Sequence, residues 1–107
     1  MDTQLKKGLL DVCVLKVLSM GDSYGYKIMG DVSGYVELSE SGLYAILKRL
    51  EQQALVTTYK EEHENRLRKY YHLTDAGRAK LQEFRPEFAK IERIIRFVLK
   101  EGNEKWA

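Results

Sequence analysis

The residues able to carry chemistry in this 107-residue chain are few and badly spaced for catalysis. His63 and His72 are the two histidines, and neither has a cysteine or a second histidine at metal-ligand spacing. Cys13 is the single cysteine, so no disulfide can close within the chain. It lies in the apolar run from Leu9 to Leu18 and reads as a small buried hydrophobe, with a redox-sensing thiol as the alternative. No G-x-S-x-G elbow and no phosphate-cradling glycine loop occurs. The carboxylates are scattered along polar stretches, as on a solvated surface. No metal, no cofactor and no enzyme activity are expected.

What remains is contact chemistry. Ser39, Ser41 and Gly42 are short residues that allow close approach to a partner, and Tyr44 and Lys48 follow at helical spacing. One turn apart, those two side chains can reach a base edge and a phosphate. Arg66, Arg68 and Lys69 form a second basic group suited to backbone phosphates. Each group has a plainer reading by itself. A charged helix face is ordinarily just solvated, and the basic group follows Glu61, Glu62 and Glu64. Tyr70 and Tyr71, adjacent on a strand, must point to opposite faces, so one of them belongs to the core. The net charge of +2 permits a nucleic-acid partner, provided that positive charge is gathered locally.

The elements that must position these residues follow from periodicity. With 44% hydrophobic and 32% charged residues and one proline, the chain suits one helix-rich globular domain. Leu5 to Met20 predicts a first helix whose apolar surface is too wide for one neighbour, and Gly21 ends it. Ser23 is expected to cap a second helix running from Tyr24 to about Ser33, ended by Gly34. Val36 to Leu38 alternates and predicts a minor strand. Ser39 then caps a third helix to about Gln53, with Leu43, Ile46, Leu47, Leu50 and Ala54 on its core face. Leu55 to Lys60 and Arg68 to Leu73 are rich in Val, Thr and Tyr and predict two strands, joined by a long polar tip over residues 61–67. Thr74 caps a last helix with the seam Leu81, Phe84, Phe88, Ile91, Ile95 and Val98, a heptad pattern that predicts pairing with another helix. Pro86 lies inside this helix and should kink it or start a new segment, and Gly102 marks its end.

Three helices, a two-stranded hairpin and a long helix make a mainly α winged helix-turn-helix with a C-terminal dimerisation helix. The winged helix would occupy residues 1–73 and the dimerisation helix residues 74–107, in one compact unit. No run reaches the roughly 18 apolar residues of a membrane helix. Lys6 and Lys7 precede an apolar stretch broken by Asp11 and Lys16, which is no signal peptide, so a cytoplasmic protein is expected.

Two long motifs sharpen this. Ser41-Gly42-Leu43-Tyr44-Ala45-Ile46-Leu47-Lys48-Arg49-Leu50-Glu51 resembles the recognition-helix signature of the PadR family of bacterial transcriptional regulators. Arg68-Lys69-Tyr70-Tyr71-His72-Leu73-Thr74-Asp75-Ala76-Gly77 resembles that family's second wing strand and entry to the dimer helix, and Tyr24-Gly25-Tyr26 its second-helix start. The resemblance runs from about Leu9 to Leu99. The chain departs from it at Glu40-Ser41-Gly42, where Pro-Gly-Thr is frequent, and at Ala54-Leu55-Val56, where Gly-Leu-Ile is usual. The resemblance implies a homodimer in which the last helix and the first pack across the two-fold axis, through Leu5, Leu9 and the seam. It implies a near-palindromic double-stranded DNA operator, action as a repressor, and release by a small aromatic or cationic effector, for which Phe84 and Phe88 are the candidate residues. The rival expectation is a winged helix that binds another protein and no DNA.

Overall fold

The structure, a computed structural model, describes residues 3–101, with side chains from residue 7 onward. The Leu5 side chain, expected at the interface, and Gly102, expected as a helix end, therefore lie outside what the structure describes. The first helix, α1 (Thr3–Ser19), buries Val12, Val14, Leu15, Val17 and Leu18 within seven positions. Burial on so many sides makes it the central helix, as its wide apolar surface predicts. Half-buried Cys13 sits against this core, and burial pushes its thiol up, away from the reactive thiolate.

Ser23 does not cap a helix. Ser23 and Tyr24 form a two-residue strand, β1, and the second helix, α2 (Gly25–Val32), starts behind it with no side-chain cap. The extended backbone of Tyr24 pairs with a later strand, a tertiary bond that overrides the local capping preference. Residues 36–38 form no strand either. They pair with no strand among the described residues, and Val36 and Leu38 instead tuck against the core.

The third helix, α3 (Glu40–Gln52), buries Leu43, Ile46, Leu47 and Leu50, each 5% exposed or less. Ala54 is not part of that face. It is exposed in the left-handed region, φ 60°, where the helix closes. Its N–H donates to the Glu51 carbonyl at 3.0 Å and the Leu55 N–H to the Leu50 carbonyl at 2.9 Å, which is a Schellman motif.

Strands β2 (Val56–His63) and β3 (Arg66–Leu73) pair antiparallel from Val56↔Leu73 to His63↔Arg66, and β1 pairs with the other edge of β3, giving the order β1-β3-β2. The expected long tip is a two-residue turn. Glu64 and Asn65 have φ of 50° and 64°, the pair of positive values of a type I′ turn, whose twist matches the strands. The polar residues on either side of the turn read as loop in sequence because both faces of this outer hairpin meet water.

The last helix, α4 (Asp75–Leu99), is unbroken through Pro86. The missing N–H frees a carbonyl in an exposed turn, where water can satisfy it. Thr74 caps the helix at the Gly77 N–H, 3.0 Å, and its hydroxyl donates to the Ala54 carbonyl at 2.8 Å. Gly77 is required here. A Cβ on it would overlap the Leu55 carbonyl oxygen and lie 2.5 Å from Leu73 Cδ1. Only the start of α4 belongs to the body, since Gly77 and Leu81 are its buried residues. The rest projects, which stretches the molecule to 62 × 25 × 24 Å. The result is a winged helix-turn-helix extended by a long helix. Among the described residues no helix is long and apolar enough to cross a membrane.

Candidate nucleic-acid interface

The geometry of α3 begins at its cap. Ser39 Oγ accepts the Gly42 N–H at 3.0 Å and lies 3.3 Å from Ser41 Oγ. Gly42 fits under this cap, because a Cβ there would come within 3.0 Å of Ser39 Oγ and 3.1 Å of Leu38 Cδ1. Ser39, Ser41 and Gly42 thus build the N-terminus of α3, whose free N–H groups favour a negative partner. Beyond the cap, the exposed face carries Tyr44, Ala45 and Lys48. Lys48 has no ion-pair partner among the described residues. Arg49, by contrast, is consumed by Asp11 of α1, a pairing that fixes the orientation of α3 on the core.

Tyr44 is 45% exposed, yet its ring leans back on α2. A Cβ on Gly25 would overlap the Tyr44 hydroxyl and lie 2.8 Å from its Cζ, so Gly25 is the seat of this ring. Burial, and then the proximity of Tyr44 and Glu51, push the Tyr71 phenol up. The wing base thus adjoins α3, and Thr58 of β2 donates to Glu51 at 3.2 Å across the same junction.

Strand alternation divides the wing's basic residues. Lys69 shares the Tyr71 face and hangs 5.5 Å over that ring, on the side of α3. Arg66 and Arg68 take the opposite face. There the Arg68 guanidinium lies 4.0 Å over the Tyr24 ring, a cation–π contact that restricts where it points. Tyr24 meets Tyr70 edge-on at 5.6 Å, and Tyr70 stacks on Tyr59 at 5.4 Å.

Sequence reasoning missed the residue at the end of this row. Asp22, in the turn after α1, accepts a hydrogen bond from Tyr59 Oη at 2.8 Å and lies 2.8 Å from His72 Nδ1. Burial alone would raise its carboxyl, but the hydrogen bonds with His72 and Tyr59 and the His72 charge outweigh it and hold the group below its usual value. The Tyr59 hydroxyl is pushed up to about 12, chiefly by the bond to Asp22. Asp22 stands 37 and 50 positions from its partners, and no local pattern links them.

The seam of α4 divides. Leu81 is buried in its own core at 4% exposure, and Phe84 and Phe88, stacked at 5.5 Å, pack against that core half-buried. From Ile91 onward the apolar side chains are bare: Ile91, Ile95 and Val98 are 37%, 49% and 69% exposed, with Ile94 and Leu99 beside them. Leu9 on α1 is half-buried.

Residues 14–83 match the model of the Transcriptional regulator PadR-like family. A protein of Lysinibacillus sphaericus is 33% identical over 94 residues, which cover 83% of this chain and 86% of the relative. A PadR family transcription regulator from Clostridium difficile has a solved structure that superposes with a TM-score of 0.76, at 31% identity over 84% of this chain and 97% of that one. A Streptococcus mutans structure gives 0.80 at 36% identity over 92% of both chains. A PadR-like transcriptional regulator from Bacillus cereus gives 0.80 at 28% identity over 94% of this chain and all of that one. The matched family model and the Clostridium difficile and Bacillus cereus structures are those of transcriptional regulators, not enzymes. With its family model spanning most of the winged helix and carrying on into the last helix, the chain belongs to the PadR-like family of transcriptional regulators.

Proposed function

We propose that the chain is a homodimeric repressor that binds a near-palindromic operator in the cytoplasm. In this reading α3 enters the major groove, with Ser41, Tyr44 and Lys48 toward base edges and phosphates and with Ser39 and Gly42 shaping the helix start. Arg66, Arg68 and Lys69 hold the flanking backbone from the wing. The observation that carries the reading is Lys48, without an ion-pair partner among the described residues on the exposed face of α3, beside a wing junction over which Lys69 projects. Residues 1–73 supply the reading head, and the helix from residue 74 onward joins two of them.

The dimer is supported by the bare apolar stretch from Ile91 to Leu99, which a monomer would leave in water. The same arrangement suggests where an effector acts. Phe84 and Phe88 stand half-buried where α4 leaves the body. A flat aromatic or cationic molecule held there by both protomers would change the spacing of two reading heads, set about 34 Å apart for successive turns of DNA.

Selection of duplexes from a random-sequence pool tests the function. Enrichment of a two-fold symmetric sequence is expected, with affinity falling steeply as salt rises. Lys48→Ala should weaken binding at one position of each half-site, whereas Lys69→Ala should weaken all sequences alike. A pool that stays unenriched at low salt would refute DNA recognition and leave a protein partner as the reading. Calorimetry with planar aromatic and cationic dyes on the parent and on Phe88→Ala tests the effector site.

A further inference from the structure

We propose that Asp22 is a positioning residue for DNA recognition, holding the wing at a fixed angle to the helix-turn-helix by clasping Tyr59 and His72. The inference rests on the reading of the chain as a DNA-binding regulator, and it concerns a residue that need touch no DNA.

The clasp sits where the fold needs one. Gly21, at φ 148°, turns the chain out of α1, and α2 begins four residues later at Gly25. Between them, β1 joins the sheet through only Ser23↔Tyr71 and Tyr24↔Tyr70. A two-residue pairing at the edge of a sheet is a weak tie and reaches β3 alone. Asp22 extends it. One carboxylate oxygen takes the Tyr59 hydroxyl of β2 and the other faces His72 of β3, each at 2.8 Å, so one side chain spans both wing strands. Two bonds in different directions fix an angle, which one bond does not.

The contact also continues along the sheet to one of the wing arginines. Tyr59 stacks on Tyr70, Tyr70 meets Tyr24 edge-on, and Tyr24 carries the Arg68 guanidinium. These groups occupy the outer face of the sheet, away from the core, so the row adds little buried apolar area to the fold. It connects the turn entering α2 to an arginine of the wing. Losing Asp22 would leave both strands paired and the core intact while freeing the hairpin to swing about its base. The distance from Arg68 to the reading face of α3 would then vary, and the contacts at the two ends could no longer form together without an entropic cost.

The experiment uses the full-length chain and a fluorescent duplex enriched by the parent from a random pool. Asp22→Ala removes both acceptors, and Tyr59→Phe removes one donor while keeping the ring on Tyr70. Each should weaken binding about fivefold, the scale of one hydrogen bond. The double variant should bind no more weakly than Asp22→Ala alone, because Tyr59 acts through Asp22. The slope of affinity against salt should stay at the parent's value, since no phosphate contact is lost, whereas Arg68→Ala should flatten it. Melting of each variant is followed in parallel. Variants that melt earlier but bind like the parent would reduce Asp22 to a structural role and overturn the proposal. Additive losses, or a flattened salt slope for Asp22→Ala, would overturn it as well. A parent that enriches no sequence would overturn the DNA-binding reading itself, and this proposal with it.

Discussion

Replacing Gly77 by alanine should destabilise the protein by about 3 kcal/mol, although alanine is the better helix former. The new Cβ would overlap the Leu55 carbonyl oxygen and stand 2.5 Å from Leu73 Cδ1 and 3.1 Å from the Leu55 carbonyl carbon. Ordinary carbon contacts lie at about 3.5–4.0 Å, so the helix must move by roughly 1 Å, and backbone cannot swing aside as a flexible side chain can. Overpacking of this kind costs about 1–3 kcal/mol. The movement also strains a knot of bonds. Thr74 N–H donates to that same Leu55 carbonyl at 3.1 Å, and the Thr74 hydroxyl joins the Ala54 carbonyl to the Gly77 N–H. Losing the backbone bond and the cap adds about 1 kcal/mol each, while the helix preference of alanine returns about 1 kcal/mol. Gly30 in α2 is the control, since a Cβ there meets nothing within 4 Å. Gly30→Ala should therefore stabilise by up to about 1 kcal/mol. Circular dichroism at 222 nm during thermal melting, with all chains at equal concentration, measures both. On the usual scale of about 4–8 °C per kcal/mol, Gly77→Ala should melt roughly 12–24 °C below the parent. A Gly77→Ala protein that melts with or above the parent, while Gly30→Ala rises, would refute the close-approach argument.

The other expectations are more local. Ala54→Gly should stabilise by about 0.5–1 kcal/mol in chemical denaturation, the left-handed penalty of about 1–2 kcal/mol less the added freedom of the unfolded chain. Ile95→Asp places a charge on the bare part of α4 and should yield a folded monomer by sedimentation, because the side chain is 49% exposed in the protomer; an intact dimer would move the interface elsewhere. In an alkaline titration followed by tyrosine absorbance, one phenol should ionise near 12, and Asp22→Ala should bring it back toward 10. Because the folded protein raises this group, the stability it contributes is full below pH 10 and is lost as pH rises toward 12. Tyr59→Phe should remove that late step, and a late step that survives it would belong to another tyrosine.

The sequence alone determined what depends on near neighbours. Helical spacing from Leu43 to Leu50 predicted the buried face of α3, and Ser39 and Thr74 were legible as caps because a cap bonds a backbone N–H three residues away. The order of helices, hairpin and long helix followed from periodicity, and the family from two motifs. Tertiary structure decided the rest. Ser23 resembles a cap in sequence but pairs with Tyr71 in a sheet, because a partner 48 positions away supplies the better bond. Ala54 fits the apolar spacing of α3, yet the Schellman closure turns it into solvent. The α4 seam is one uninterrupted pattern, but the body covers its start at Leu81 and leaves Ile91 onward bare. Asp22 gave no signal at all, since a carboxylate that holds a tyrosine and a histidine 37 and 50 residues downstream looks in sequence like any surface aspartate. Periodicity reports which side of an element avoids water. What lies across from that side is settled only when distant segments compete for the same hydrogen bonds and the same space.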